Sequence, residues 1–149
     1  MAGPIDLAPI ITRLQAEVDG LRLIGGAADR AAVKRIPTQL PAAFVLDGRE
    51  TAEPPKGGSS QVVQRVRASF GVLLCTRHYR ASERGAAGRD AERDVIGQVR
   101  EALMGWTPAQ DQATEPTTSV QLVSGELLAY DDQVRWWLET YRLEYWSRK

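Results

Sequence analysis

Apolar residues first recur at Leu7, Ile11, Leu14, Val18 and Leu21, spaced 4, 3, 4 and 3 apart. That spacing draws one stripe along an amphipathic helix. Asp6 is placed to cap its N-terminus, and Pro9 is tolerated in the first turn. Gly20 and the Gly25-Gly26 pair mark its end and a bend. A short second helix is expected over 27–35, stopped before Pro37. With only about two heptads the stripe is too short for a coiled-coil seam, so packing on a sheet is favoured. From Pro41 to Asp47 a short apolar run has strand character. Residues 48–60 hold two prolines, three glycines and alternating charges, and read as a long loop, expected to be mobile or functional.

The longest strand is expected over 62–76. Val66, Ala68, Phe70, Val72 and Leu74 share one face, while Arg65, Arg67, Ser69 and Gly71 share the other. Leu73 and Cys75 then make the far end of this second face apolar, so burial there is two-sided. After a polar connection over 78–88, a helix is expected with Asp90 as N-cap and Glu92 and Asp94 in its positive first turn. Its apolar face is Val95, Ile96, Val99, Leu103 and Trp106, and Gly105 and Pro108 end it. Residues 107–118 look irregular. A strand through Val120, Leu122, Leu128 and Tyr130 is interrupted near Ser124-Gly125, where a bulge or turn fits. Asp131-Asp132 then offers a tight turn. The last strand, 133–146, carries Trp136, Leu138 and Thr140 on one face and Trp137, Tyr141, Leu143 and Tyr145 on the other. The order gives an α+β fold, a mainly antiparallel sheet of about four strands with two or three helices. At 149 residues, one domain over 1–149 is expected.

Composition narrows the function more than the fold. Nineteen basic and nineteen acidic side chains cancel, which argues against DNA, RNA or an acidic membrane as the main partner. No apolar run approaches the roughly 20 residues of a membrane span, and no secretory signal is visible. The single Cys75 leaves no internal disulfide or cysteine-rich metal site, and the single His78 leaves few ways to build a triad or a zinc site. Three apart on an extended strand, they face opposite sides and do not make a nucleophile–base pair. Gly85-Ala-Ala-Gly88 has the form of a backbone-gripping GxxG clamp, but a flexible turn before a helix accounts for it better. No Walker loop, dinucleotide fingerprint or HExxH is present. Neither cofactor, metal nor catalytic residue is called for, and a soluble cytoplasmic protein working through its surfaces is expected.

Those surfaces are polarised. Residues 61–106 hold eight basic and five acidic side chains, whereas 107–134 hold five acids and no Lys or Arg. Opposite patches of this kind fit head-to-tail contacts between copies, which close into rings when the rotation allows. Arg65 and Arg67 supply one patch and Asp131 and Asp132 the other. Arg49 and Lys56 in the long loop, Arg135, and Trp137 on the aromatic strand complete the candidate subunit or tube contacts. Trp and Tyr suit interfaces because they bury large areas and keep a polar handle.

Several segments carry a resemblance. Gly20-Leu-Arg-Leu-Ile-Gly-Gly-Ala-Ala-Asp29, Leu40-Pro-Ala-Ala-Phe-Val-Leu46, Arg67-Ala-Ser-Phe-Gly-Val-Leu-Leu74 and Val99-Arg-Glu-Ala-Leu-Met-Gly-Trp-Thr-Pro108 resemble tail terminator and related minor tail proteins of long-tailed bacteriophages. So does the closing aromatic strand. The resemblance implies a small sheet with helices mainly on one face, and six copies in a ring on the head-proximal end of the tail tube. Such a ring stops tube growth and docks head-completion proteins, and DNA passes its lumen without specific binding. The implied partners are thus further copies of the chain, the tail tube protein and a head-completion or connector protein, with no membrane. The implied location is the virion tail at the head–tail junction, after assembly in the host cytoplasm. A neighbouring connector ring, a nucleic-acid-binding module using Arg65, Arg67, Arg77 and the Gly85–Gly88 turn, and a small enzyme using Cys75 or His78 are the competing readings.

Overall fold

The computed structural model describes residues 3–27, 37–56, 61–77, 82–109, 114–116, 118–130 and 134–148. Helix α1 is Ala8–Glu17, followed by strands β1 (Leu23–Ala27), β2 (Ala42–Ala52) and β3 (Val63–Arg77). Helix α2 (Ser82–Leu103) leads to β4 (Thr114–Pro116), β5 (Gln121–Tyr130) and β6 (Val134–Arg148). The strands form one six-stranded sheet ordered β1-β2-β3-β6-β4, with β5 also on β6. Only β1 and β2 run parallel. The expected α+β fold is therefore present, with six strands rather than about four.

Strands β3 and β6 form the central beam. Both are fifteen residues long and pair without a register shift from Val63↔Arg148 to Arg77↔Val134. Their alternating apolar positions make one face of the sheet, on which both helices lie. Ile10 and Leu14 of α1 and Val95, Val99 and Leu103 of α2 pack with Val66, Phe70, Val72, Leu74 and Tyr141. Phe70 stacks on Tyr141 at 5.6 Å between ring centres. On the opposite face, Leu73, Cys75, Val134 and Trp136 join Ala42 and Leu46 in a second, smaller apolar cluster. Burial at that end is two-sided, as the sequence pattern implies.

Polar bonds lock the helices to each other and to the loops. Arg13 donates from Nε to the Ala102 carbonyl (3.0 Å), one of the acceptors that the end of α2 leaves without an intrahelical donor. Its guanidinium also lies 5.2 Å from the Trp106 ring centre. Gly105 closes α2 at φ +80°, the left-handed conformation glycine adopts without strain. Its N–H donates to Val120, and Val120 donates back to Trp106, so the Gly105-Trp106 turn fixes the entry to β5.

Several boundaries differ from the sequence expectation. Gly25 and Gly26 lie inside β1, where a bend was expected. Pairing with β2 in parallel register, Gly25 beside Phe44 and Gly26 beside Val45, supplies the ladder that holds them extended. Ala27, expected to open a second helix, ends β1; residues 28–35 of that helix lie outside the described residues. The expected loop at 48–60 is strand as far as Ala52, because a bulge between Asp47 and Glu50 re-registers β2 on β3. Helix α2 begins at Ser82, eight residues before the expected Asp90 cap, and takes in Gly85 and Gly88. Isolated glycines cost a helix about 1 kcal/mol each, too little to break one anchored by a packed face. The Gly85–Gly88 turn is therefore helical. Residues 114–116 of the irregular segment form β4. At α1, Leu7 occupies the N-cap position, while Asp6 Oδ1 accepts from the Ala8 N–H at 2.9 Å.

Candidate assembly surface

The face of β3 turned away from the helices carries Arg65, Arg67 and Ser69 after Val63. Register places Trp146, Glu144 and Arg142 of β6 beside them in that order. On the other side, the bulge in β2 brings Thr51 next to Arg67. Gly48 makes this possible: a Cβ there would lie 2.0 Å from the Ser69 carbonyl oxygen. Ser69 then holds the bulge with its hydroxyl, accepting from the Arg49 N–H and donating to the Arg49 carbonyl, both at 3.0 Å. The result is a basic, solvent-facing half-sheet.

Glu144 sits between two of the arginines, 3.4 Å from Arg65 and 3.3 Å from Arg67. Arg65 also stacks its guanidinium 5.3 Å from the Trp146 ring centre. Such half-exposed pairs are worth little in stability but hold the guanidinium planes in place. Two shallow depressions lie here. One is bordered by Arg49, Arg67, Ser69, Val123, Thr140 and Arg142; the other by Thr51, Glu53, Arg65, Arg67 and Glu144. Around them four arginines face two carboxylates, so the patch attracts acidic surfaces.

The expected contact residues thus separate into groups. Arg49, Arg65 and Arg67 come together on this face, and Lys56 is exposed just beyond β2. Arg135 and Trp137 lie on the other side, among the helix-facing residues. Arg135 donates from Nε to Glu92 Oε2 at 2.9 Å, and Thr76 donates to the same oxygen. Glu92, expected in the first turn of the helix, lies well inside α2 and is buried. Trp137 donates from Nε1 to Glu139 Oε2 at 3.0 Å. Asp131 and Asp132 lie outside the described residues.

Sequence reasoning passed over a buried ion pair. Glu139, fully buried, takes two bonds from Arg100 of α2, at 2.6 and 3.0 Å, besides those from Trp137 and Tyr141. Bonding to Glu139 raises the Arg100 pKa, and burial holds the Tyr141 phenol well above the ordinary tyrosine range. The signal was there: an acid at an odd position among Trp137, Tyr141, Leu143 and Tyr145 has to face the core. A half-buried carboxylate ties the N-terminal segment down, with Tyr145 donating to Glu50 and the Ile5 N–H donating to the same side chain.

Among the described residues no cluster of three or more His, Cys, Asp or Glu is placed to hold a metal ion. No described helix is long and apolar enough to cross a membrane.

Comparisons with known proteins agree with a role in assembly. No curated protein matches the chain. Among solved structures it is similar in fold to a chain of the virion of a native gene transfer agent particle, with a TM-score of 0.59 and 13% identity. The match covers 91% of this chain and 90% of that one. The family model for phage tail terminator proteins matches residues 1–149, end to end. The chain belongs to the phage tail terminator protein family, and is a structural protein of the virion tail.

Proposed function

We propose that six copies of this chain form a ring that caps the head-proximal end of the tail tube, halts tube polymerisation and docks a head-completion protein. The observation that carries the reading is the unlike character of the molecule's surfaces, in a chain that matches the terminator family over its whole length. One sheet face is covered by helices, while half of the other is basic and open. A cap needs two dissimilar ends, and a ring needs a patch on one flank that fits the opposite flank of the next copy. Arg49, Lys56, Arg65 and Arg67 are the contacts offered to the tube or the head protein, by charge attraction. Asp131 and Asp132 serve the contact between copies. The ring binds no nucleic acid specifically, although DNA passes through its lumen.

The test is electron microscopy of particles assembled without this protein. Overlong tails without heads are expected; tails of normal length left unattached would identify a connector instead. Within the ring, Asp131→Lys with Asp132→Lys is expected to weaken assembly. An unchanged oligomer by light scattering would remove those acids from the contact.

A further inference from the structure

The sheet has two open edges, and they differ. At one end β1 pairs only with β2; at the other β5 pairs only with β6, among the described residues. Strand β5 is unusual for an edge. It is ten residues long and exposed along nearly its whole length, yet apolar, with Val123 51%, Leu128 39% and Tyr130 65% accessible. Leu23, the first residue of β1, is 37% accessible. A long apolar edge left open is a template for pairing with another chain, which soluble proteins normally blunt with lysine, proline or a cover. Within 121–130 there is no Lys, Arg or Pro.

We infer that β5 of one copy adds to β1 of the next, so that the sheet continues from subunit to subunit. The inference rests on the ring reading above and names its contact. Strand direction fits. Strands β1, β2 and β6 run one way, and β3 and β5 the other. A rotation that carries the sheet on into the next copy preserves direction, so β5 meets the neighbour's β1 antiparallel, the stronger ladder. Length fits too: the five residues of β1 match the stretch Glu126–Tyr130, where Leu127, Leu128 and Tyr130 are concentrated. Charge also fits. The chain enters β1 from the exposed Arg22, whereas β5 lies within a segment, 107–134, that holds five acids and no base. The contact is heterologous, so a closed ring leaves no copy with an unpaired β1 edge or 126–130 stretch, and an open array grows until it closes.

Paired cysteines test the contact directly. Leu23→Cys is combined in turn with Glu126→Cys, Leu128→Cys or Tyr130→Cys in the full chain, oxidised with copper phenanthroline and run on non-reducing gels. The native Cys75 is buried. At least one double variant is expected to form a covalent ladder beyond the dimer, while each single variant stays monomeric on the gel. A dimer from Tyr130→Cys alone would mean that β5 meets β5, and would overturn the contact. A chain that light scattering shows to be oligomeric, but in which no pair links, would overturn it while sparing the ring. A chain that stays monomeric beside tail tubes would take the ring reading down as well. In parallel, Leu128→Lys with Tyr130→Lys, both at exposed positions, is expected to raise the concentration for half-assembly at least tenfold with an unchanged circular dichroism spectrum. Unaltered assembly would refute the edge pairing.

Discussion

Glu139→Ala is expected to lower unfolding stability by about 3 kcal/mol, the lower end of what breaking a buried ion pair costs. The carboxylate is fully buried and accepts from Arg100, Trp137 and Tyr141. Removing it leaves the indole N–H and the phenol without their acceptor beneath α2. The loss stays at the lower end because the Arg100 side chain is 37% accessible and regains water. A urea titration read by tryptophan fluorescence measures the change. Glu139→Gln keeps the shape and part of the bonding, so it should lose less. Gly125 makes an internal check: a Cβ there would lie 2.3 Å from Glu139 Oε2 and 2.9 Å from Arg100 Nη2, so Gly125→Ala disturbs the same pair from the β5 side. An alanine variant at 139 as stable as the parent would show that the pair contributes nothing net.

Gly48→Ala carries the second large effect, expected at about 1–3 kcal/mol, the range for forcing extra volume into a fitted site. Here the obstacle is the backbone of Ser69, 2.0 Å from the new carbon, which a side-chain rotation cannot relieve. The bulge has to open, and the two Ser69–Arg49 bonds go with it. The consequence reaches the surface, because the bulge is what sets Arg49 beside Arg67. A lowered urea midpoint together with weaker docking to tail tubes is therefore expected. Ser69→Ala separates the two effects: it removes both bonds without adding volume, and should cost less.

Where hydrophobic period and burial agree, the fold was legible. The α1 stripe, the alternation of β3 and the two aromatic faces of β6 all follow from spacing alone, and the two-sided burial at Leu73 and Cys75 followed from a change in that alternation. What escaped was set by tertiary contact. Nothing local to Gly25 and Gly26 marks a strand; β2 supplies the ladder that makes one. The first two turns of α2 carry two glycines and no apolar stripe, and form as an extension of the packed part of the helix. In the site, period two put Arg65 and Arg67 on one face. Glu144 is paired with Arg67 across 77 residues of sequence, and Arg49 arrives only through the bulge. Long-range register has no local signature.

The union of β3 with β6 sets the order of events in a nascent subunit. The sheet's middle joins the strand made last to one made some seventy positions earlier, a high contact order that slows folding. Until β6 inserts, β5 has no neighbour to lie on. A half-synthesised polypeptide therefore offers no finished lip to its siblings. If copies pair through β5 as proposed, joining waits until β6 is in place.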